Sequence, residues 1–295
     1  MKATTEGTAR AEKRKLGSSG TVRLPAGESV SAFGMGTWHM GEDAAAHPEE
    51  VATLRLGLEL GARLIDTAEM YGDGRAEELV GEAIAGRRDE VFLVDKVLPS
   101  NASRRGTMAA CDRSLRRLKT DRIDLYLLHW RGSVPLAETI AAFMQLQDAG
   151  KIRYYGVSNL DLEDMQEVWS VPGGQAVQTD QVLYNLSRRG IEWDLLPWLR
   201  ERRIPVMAYS PIEEARLLEN PKLVSFARRH GLTPAQAALA WLLAQEDVMV
   251  IPKTSRQERL KENLAALEHP LTPPQLSELD HLFPRPLGPR PLEML

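Results

Sequence analysis

Asp66 and Tyr71 stand five residues apart in the stretch Leu64-Ile65-Asp66-Thr67-Ala68-Glu69-Met70-Tyr71-Gly72. Leu64 and Ile65 read as a short buried strand that ends in Asp66, and a glycine-bearing loop then presents Tyr71. An acid and a phenol just past a strand end pack poorly. They make sense where a group across a pocket needs them. Two more apolar strands supply such groups: Val91-Phe92-Leu93-Val94-Asp95-Lys96-Val97 carries Lys96, and Ile123-Asp124-Leu125-Tyr126-Leu127-Leu128-His129 closes on His129. A free phenol has a pKa near ~10 and is a weak acid at neutral pH. A neighbouring ammonium favours the phenolate and lowers that value. Asp66 can hold Lys96 by a salt bridge, and a neutral His129 can donate a hydrogen bond to a substrate oxygen. The set suits protonation of an alkoxide as it forms on a carbonyl oxygen, the acid step of carbonyl reduction by hydride.

The elements that must position these groups alternate regularly. After a strand at 34–38, Pro48 and Gly61 bracket a helix with Val51, Leu54 and Leu58 on one face. The strand ending at Asp66 precedes a helix at 76–85, and the Lys96 strand precedes a helix at 103–118. In that helix Met108, Cys111, Leu115 and Leu118 recur at helical spacing, so Cys111 reads as a core residue. The strand ending at His129 precedes a helix at 135–149; strands follow at 151–159, 176–185, 204–210 and 248–254, with helices at 161–169, 191–202, up to 245, and 256–267. Three helix starts carry capping-box signals: Thr233 with Gln236, Ser255 with Glu258 and Thr272 with Gln275. Apolar strands alternating with helices imply a parallel sheet. Eight such units in ~250 residues imply a single-domain α/β fold, the (β/α)8 TIM barrel. The expected boundaries are a polar tail at 1–21, the barrel at 22–283 and a proline-rich surface tail at 284–295. A doubly wound sheet is the alternative, weakened by the lack of a G-x-G-x-x-G opening a helix.

Composition narrows the partners. Of 295 residues, 37 are basic and 41 acidic, a balance that points to no nucleic acid and no membrane surface. No apolar run approaches a membrane span, and the first 20 residues show no apolar signal core. Lys13-Arg14-Lys15 reads as part of a solvated tail. The single cysteine excludes an intrachain disulfide and fits a cytoplasmic protein. The histidines show no metal spacing, so no metal is expected. Trp169, Trp193, Trp198 and Trp241 fall on helical segments and read as packing residues.

Asp66, Tyr71, Lys96 and His129 resemble, in type and chain order, the tetrad of the aldo-keto reductases. The flanking words are similar too: Gly-Thr-Trp at 36–38, Val-Ser-Asn at 157–159, Asp-Gln at 180–181, Tyr-Ser-Pro at 209–211 and Ile-Pro-Lys-Thr at 251–254. The resemblance covers residues 22–280 and runs closest to bacterial methylglyoxal-reductase-like members. It implies NADP(H) as cofactor and reduction of small aldehydes or ketones, such as methylglyoxal or aromatic aldehydes. Hydride passes to the carbonyl carbon while Tyr71 protonates the oxygen. It implies that Ser158, Asn159 and Gln181 hold the nicotinamide carboxamide and that Tyr209 stacks on its ring. Lys253, Thr254 and Arg259 resemble the site for the adenosine 2′-phosphate, and Glu262 and Asn263 resemble adenine contacts. Thr37, Asp66, Ser210, Ile212 and Ser255 complete the implied cofactor contacts; Trp38 and Trp130, with Tyr71 and His129, wall the implied substrate pocket. A phosphate there also has a physical rationale. A helix capped by Ser255, with Arg256 and Arg259 in its first turn and Lys253 just before, makes an anion site. One departure bears on retention. After Pro211 the chain reads Ile212-Glu213-Glu214. Two carboxylates there repel a pyrophosphate unless they turn away, so an open pocket with loosely held cofactor is expected. Two classes of function fit: an NADPH-dependent reductase, and a nicotinamide-binding regulatory subunit on the same barrel. A barrel hydrolase fits less well, for want of a metal cluster or a suitable carboxylate pair.

Overall fold

Short apolar runs in this chain can satisfy their backbone only by pairing with one another, and the result is a closed ring of strands. The computed structural model of the chain describes residues 20–295; the expected tail and its Lys13–Lys15 cluster lie almost wholly outside the described residues. A hairpin of β1 (Thr21–Arg23) and β2 (Ser29–Ser31) comes first. Eight parallel strands follow in chain order: β3 (Gly34–Gly36), β4 (Leu64–Asp66), β5 (Phe92–Val97), β6 (Ile123–Leu128), β7 (Ile152–Ser158), β8 (Asp180–Leu183), β9 (Val206–Tyr209) and β10 (Val248–Val250). Parallel bridges Phe33↔Val250 and Gly36↔Lys253 close the ring between last and first strand. The architecture is the expected (β/α)8 barrel in one domain.

The seam explains the glycines of β3. A Cβ on Gly34 would lie 2.3 Å from Leu64 Cδ2, and one on Gly36 would lie 2.8 Å from the Ile251 carbonyl oxygen. Glycine lets β3 approach both neighbours closely. The hairpin stoppers the N-terminal end: Val22, Leu24 and Val30 pack in one buried cluster with Leu64, Phe92, Leu125 and Met249. Beneath it Asp124 accepts from Arg88 at 2.7 Å and Arg153 at 2.9 Å, and Arg153 also reaches Glu28 at 2.7 Å.

Helices α1 (His47–Glu59), α2 (Arg75–Ala83), α3 (Arg104–Leu118), α4 (Leu136–Asp148), α5 (Leu162–Ser170), α6 (Leu195–Glu201), α7 (Pro221–Arg229), α8 (Pro234–Leu243), α9 (Gln257–Leu264) and α10 (Pro273–Leu282) surround the ring. The Thr233/Gln236 and Thr272/Gln275 boxes both form. α6 is shorter than the expected 191–202, because a 3-10 turn at Gly190–Glu192 takes the first part and Asp194 accepts from Leu195 N–H. Cys111 faces inward from α3, and burial pushes its thiol pKa up to about 12. Trp169 and Trp198 meet edge to face, with Arg202 stacked 3.9 Å over Trp198. Trp193 departs from the packing expectation: it sits past the 3-10 turn and is 48% exposed.

Asp180 at the start of β8 is fully buried, and neither carboxyl oxygen has a side-chain partner. Burial holds its pKa well above the usual carboxylate range. The folded state therefore keeps a proton that the unfolded chain releases near pH ~4, so stability falls as pH rises through that window. Asp180→Asn removes the linkage. Its melting temperature should gain on wild type between pH 5 and pH 8, measured by thermal unfolding at both; an equal difference at the two pH values would show an ionised Asp180.

Candidate active site

Lys96 has no exposed surface, and a buried ammonium needs partners for its three donors. β4 and the loop after it supply them. Lys96 Nζ lies 2.7 Å from Asp66 Oδ2, 2.9 Å from the Thr67 carbonyl oxygen and 3.0 Å from Tyr71 Oη. Asp66 Oδ1 in turn accepts from Gln181 Nε2 at 2.7 Å, and the Asp66 carbonyl accepts the Thr37 hydroxyl at 2.9 Å. Burial opposes the charge on Lys96, but the attraction of Asp66 and Tyr71 outweighs it and the ammonium is held above its ordinary pKa.

Tyr71 follows the opposite balance from the one expected. Burial is the largest influence on the phenol, and Asp66 adds to it; the nearby Lys96 charge only partly offsets them. Its pKa is pushed up to about 12, so Tyr71 is a neutral phenol that accepts from the Lys96 ammonium and keeps a proton to give. His129 Nδ1 is buried without a partner. An orphaned acceptor costs less than an orphaned N–H, so the imidazole carries its proton on Nε2. Burial, with the Lys96 charge added, pushes the His129 pKa down to about 2. Four rings make the rim. Tyr71 lies edge-on to Trp38 at 4.9 Å and to His129 at 5.7 Å, and Trp130 stands 4.8 Å from His129.

A second chain of bonds runs from this group across the barrel end. Ser158 Oγ donates to the Gln181 carbonyl at 2.8 Å, and the Asn159 backbone N–H reaches the same oxygen at 2.9 Å. Asn159 adopts a left-handed backbone, φ 57°, and donates from Nδ2 to the His129 carbonyl at 3.1 Å. Tyr209 Oη donates to Asn159 Oδ1 at 2.9 Å. Beyond Tyr209, Ser210 Oγ is a buried hydroxyl without a partner, and Ile212 packs against the core. The remaining candidates lie after β10. Lys253 pairs with Gly36 across the seam; Lys253, Arg256 and Arg259 carry no ion pair among the described residues. Glu262 is half-buried and Asn263 is on the buried face of α9.

Ser255 does not cap α9, contrary to expectation. The helix starts a residue later, with Arg256 at the cap position and no side-chain cap, while Thr254 Oγ1 accepts the Arg256 N–H at 3.1 Å. Ser255 instead offers its carbonyl to the Thr53 hydroxyl at 3.0 Å. The consequence favours an anion: the first-turn N–H groups of α9 stay open beside three unpaired cations.

Residues 32–283 match the aldo/keto reductase family model. The chain belongs to the aldo/keto reductase family. It is 50% identical to the methylglyoxal reductase YeaE of Escherichia coli over 96% of this chain and all of that one. It is 31% identical to a glyoxal reductase of Bacillus subtilis over 93% of this chain and 97% of that one. An aldo/keto reductase of Klebsiella pneumoniae, solved with NADP and acetate, superposes with a TM-score of 0.91 at 48% identity, covering 94% of this chain and 99% of that one. A second Klebsiella pneumoniae structure holds NADPH and has the same TM-score and identity, over 93% and 99%.

The structure shows what sequence reasoning missed. The two carboxylates after Pro211 are both paired with arginines. Glu213 is buried and turned away: Oε2 accepts from Asn185 Nδ2 at 2.7 Å and Oε1 from Arg188 Nε at 2.8 Å. Glu214 is exposed and pairs with Arg216 at 3.4 Å. An acid and an arginine 25 positions apart give no local signal. Among the described residues no cluster of His, Cys, Asp or Glu could hold a metal, and no helix is long and apolar enough to cross a membrane.

Lys96→Met leaves Asp66 buried without its counter-charge and should cost about 3–5 kcal/mol in denaturant unfolding. Adding Asp66→Asn should recover most of that loss, since a neutral amide needs no counter-charge. In NMR, the His129 ring signals should stay constant from pH 8 to pH 5; a titration in that range would mean a polar, not a buried, imidazole.

Proposed function

We propose that the protein reduces small uncharged carbonyl compounds with NADPH, and that Tyr71 is the proton donor. The observation that carries the reading is a neutral phenol whose oxygen already accepts from a buried ammonium. As a substrate oxygen gains charge, Tyr71 Oη gives up its proton. The phenolate left behind faces Lys96 Nζ at the distance of a charge-assisted hydrogen bond. Asp66 keeps the ammonium in place, and His129 Nε2–H holds the substrate oxygen beside Tyr71. NADPH, when bound, supplies the hydride.

The residues on hand fit that cofactor. Ser158, Asn159 and Gln181 offer amide and hydroxyl groups beside the tetrad, and the Tyr209 ring is fixed by Asn159. The unpartnered Ser210 hydroxyl and the open first turn of α9 suit phosphate oxygens. Lys253 and Arg259 select the 2′-phosphate, and hence NADPH over NADH. Glu262 and Asn263 lie one turn further on for the adenine.

The rim speaks to the substrate. Trp38 and Trp130 present aromatic faces, and Arg131 is already committed to Asp164 and to Glu167 at 2.7 Å. A flat or small neutral aldehyde suits such a rim better than a carboxylated one, and two relatives are named for methylglyoxal and glyoxal. A single, buried thiol and the use of NADPH support a cytoplasmic location, with small carbonyl compounds as partners.

NADPH oxidation with methylglyoxal, 4-nitrobenzaldehyde and 4-carboxybenzaldehyde tests this reading. The first two should turn over and the third poorly. Tyr71→Phe should lower kcat by roughly 10²–10⁴; turnover that survives it would remove the acid assignment. With Tyr71 protonated below about 12 and His129 neutral above about 2, kcat/KM should be flat between about pH 6 and 9. Arg259→Ala should weaken NADPH by about tenfold or more and leave NADH little changed, by fluorescence titration, since only NADPH loses a charge-assisted bond.

A further inference from the structure

The last residues of the chain return to the catalytic face. The strap from Arg290 to Leu295 crosses Gly190, where an added Cβ would sit 3.5 Å from Arg290 Cβ. It forms one wall of an open pocket of about 480 Å³, lined otherwise by Asp161, Leu183, Ile191 and Leu195. Its hold is concentrated in three places. Leu292 packs against the core cluster, Glu293 Oε1 lies 2.6 Å from Arg188 Nη1, and the backbone of Leu295 approaches the Tyr209 hydroxyl.

Arg188 sits on a rigid base. Asn185 is fully buried, and its Oδ1 accepts the N–H groups of Ser187 at 2.9 Å and Arg188 at 3.0 Å, which fixes the turn. Its Nδ2 donates to the Ser210 carbonyl at 3.0 Å and to Glu213. The guanidinium that takes Glu213 therefore has one arm on the loop after β9 and the other on the strap. That loop is strained: Ser210, Glu213, Glu214 and Ala215 all have positive φ, between 47° and 72°, with no glycine among them. Non-glycine residues hold such angles only where surrounding contacts impose them. The Glu213 clamp is the contact here.

We infer that Arg188 is a positioning residue that latches the C-terminal strap to the cofactor loop, so that the strap slows release of NADPH. The inference rests on the cofactor reading above and reverses the loose retention expected from the short acidic segment after Pro211. On the cofactor reading, Arg188 joins the 210–215 loop, whose Ser210 hydroxyl suits a phosphate oxygen, to the strap, which approaches the Tyr209 ring. Glu293 is the arm that can be removed alone, because it is exposed and belongs to a terminal segment, whereas Glu213 is part of the buried frame.

The test is NADPH dissociation from the full-length protein by stopped-flow fluorescence, with Glu293→Gln, Glu293→Lys and Glu293→Asp beside wild type. Release should quicken about threefold or more in the Gln variant, a size set by the loss of one partly exposed ion pair, and further in the Lys variant, which repels Arg188. The Asp variant should stay near wild type, and melting temperatures should be the same in all four. Amide exchange in 290–295 should slow when NADPH binds to wild type and less so in the Gln variant. Release rates that agree within twofold across wild type, Gln and Lys would overturn the latch while leaving the cofactor reading intact. Failure of wild type to bind NADPH would overturn both.

Discussion

A single ammonium without solvent organises the catalytic end of this barrel. Lys96 Nζ has three donors and finds a carboxylate, a backbone carbonyl and a phenol, all from β4 and the turn that leaves it. Removing an ammonium from water costs several kcal/mol even after relaxation, and close, well-aligned acceptors have to offset that. β4 and β5 must then stay in register, and the 67–71 turn must keep its shape. The Gln181 bond to Asp66 carries the same demand across to β8. The helices and the hairpin stopper are the means by which a few buried polar groups are kept within tenths of an ångström of one another.

The same burial sets the chemistry. A positive charge beside a phenol and a low-polarity surround act on it in opposite directions, and at Tyr71 the surround prevails. Under the proposed mechanism the acid is thus stored with its proton on, and the ammonium is in place for the charge that develops when the proton leaves. At His129 both influences point the same way, toward the neutral ring. Two groups a few ångströms apart are both uncharged at neutral pH for partly different reasons, and each is left as a hydrogen-bond donor toward the mouth.

Much of this was legible in the sequence because it is written locally. Strand ends marked by Asp66, Lys96 and His129, and the eight alternating units, are visible as runs of apolar residues with one ionisable residue at the end. The Thr233 and Thr272 capping boxes are visible for the same reason. Ser255 shows the limit of such signals. The motif is present, but the backbone delays the helix by one residue and gives the Ser255 carbonyl to Thr53. The sign of the Tyr71 shift was out of reach, since it depends on how much of the barrel covers the ring. The direction of Glu213 was hidden as well, because Asn185 and Arg188 belong to another loop. Trp193 looks like a packing residue until the 3-10 turn before it swings it outward.

Cys111 carries a consequence of another kind. Thiolates attack aldehydes and dicarbonyls, and only the thiolate is strongly nucleophilic. A thiol pushed up to about 12 by burial keeps its proton at neutral pH, and this one is sealed beneath α3. Lys96, the amine bonded to the Tyr71 hydroxyl, is equally out of contact with solvent. A reductase of electrophilic carbonyls thereby keeps its sole sulfhydryl and the Lys96 amine out of contact with them. The core packing that holds the barrel together doubles as chemical armour against the compounds it handles.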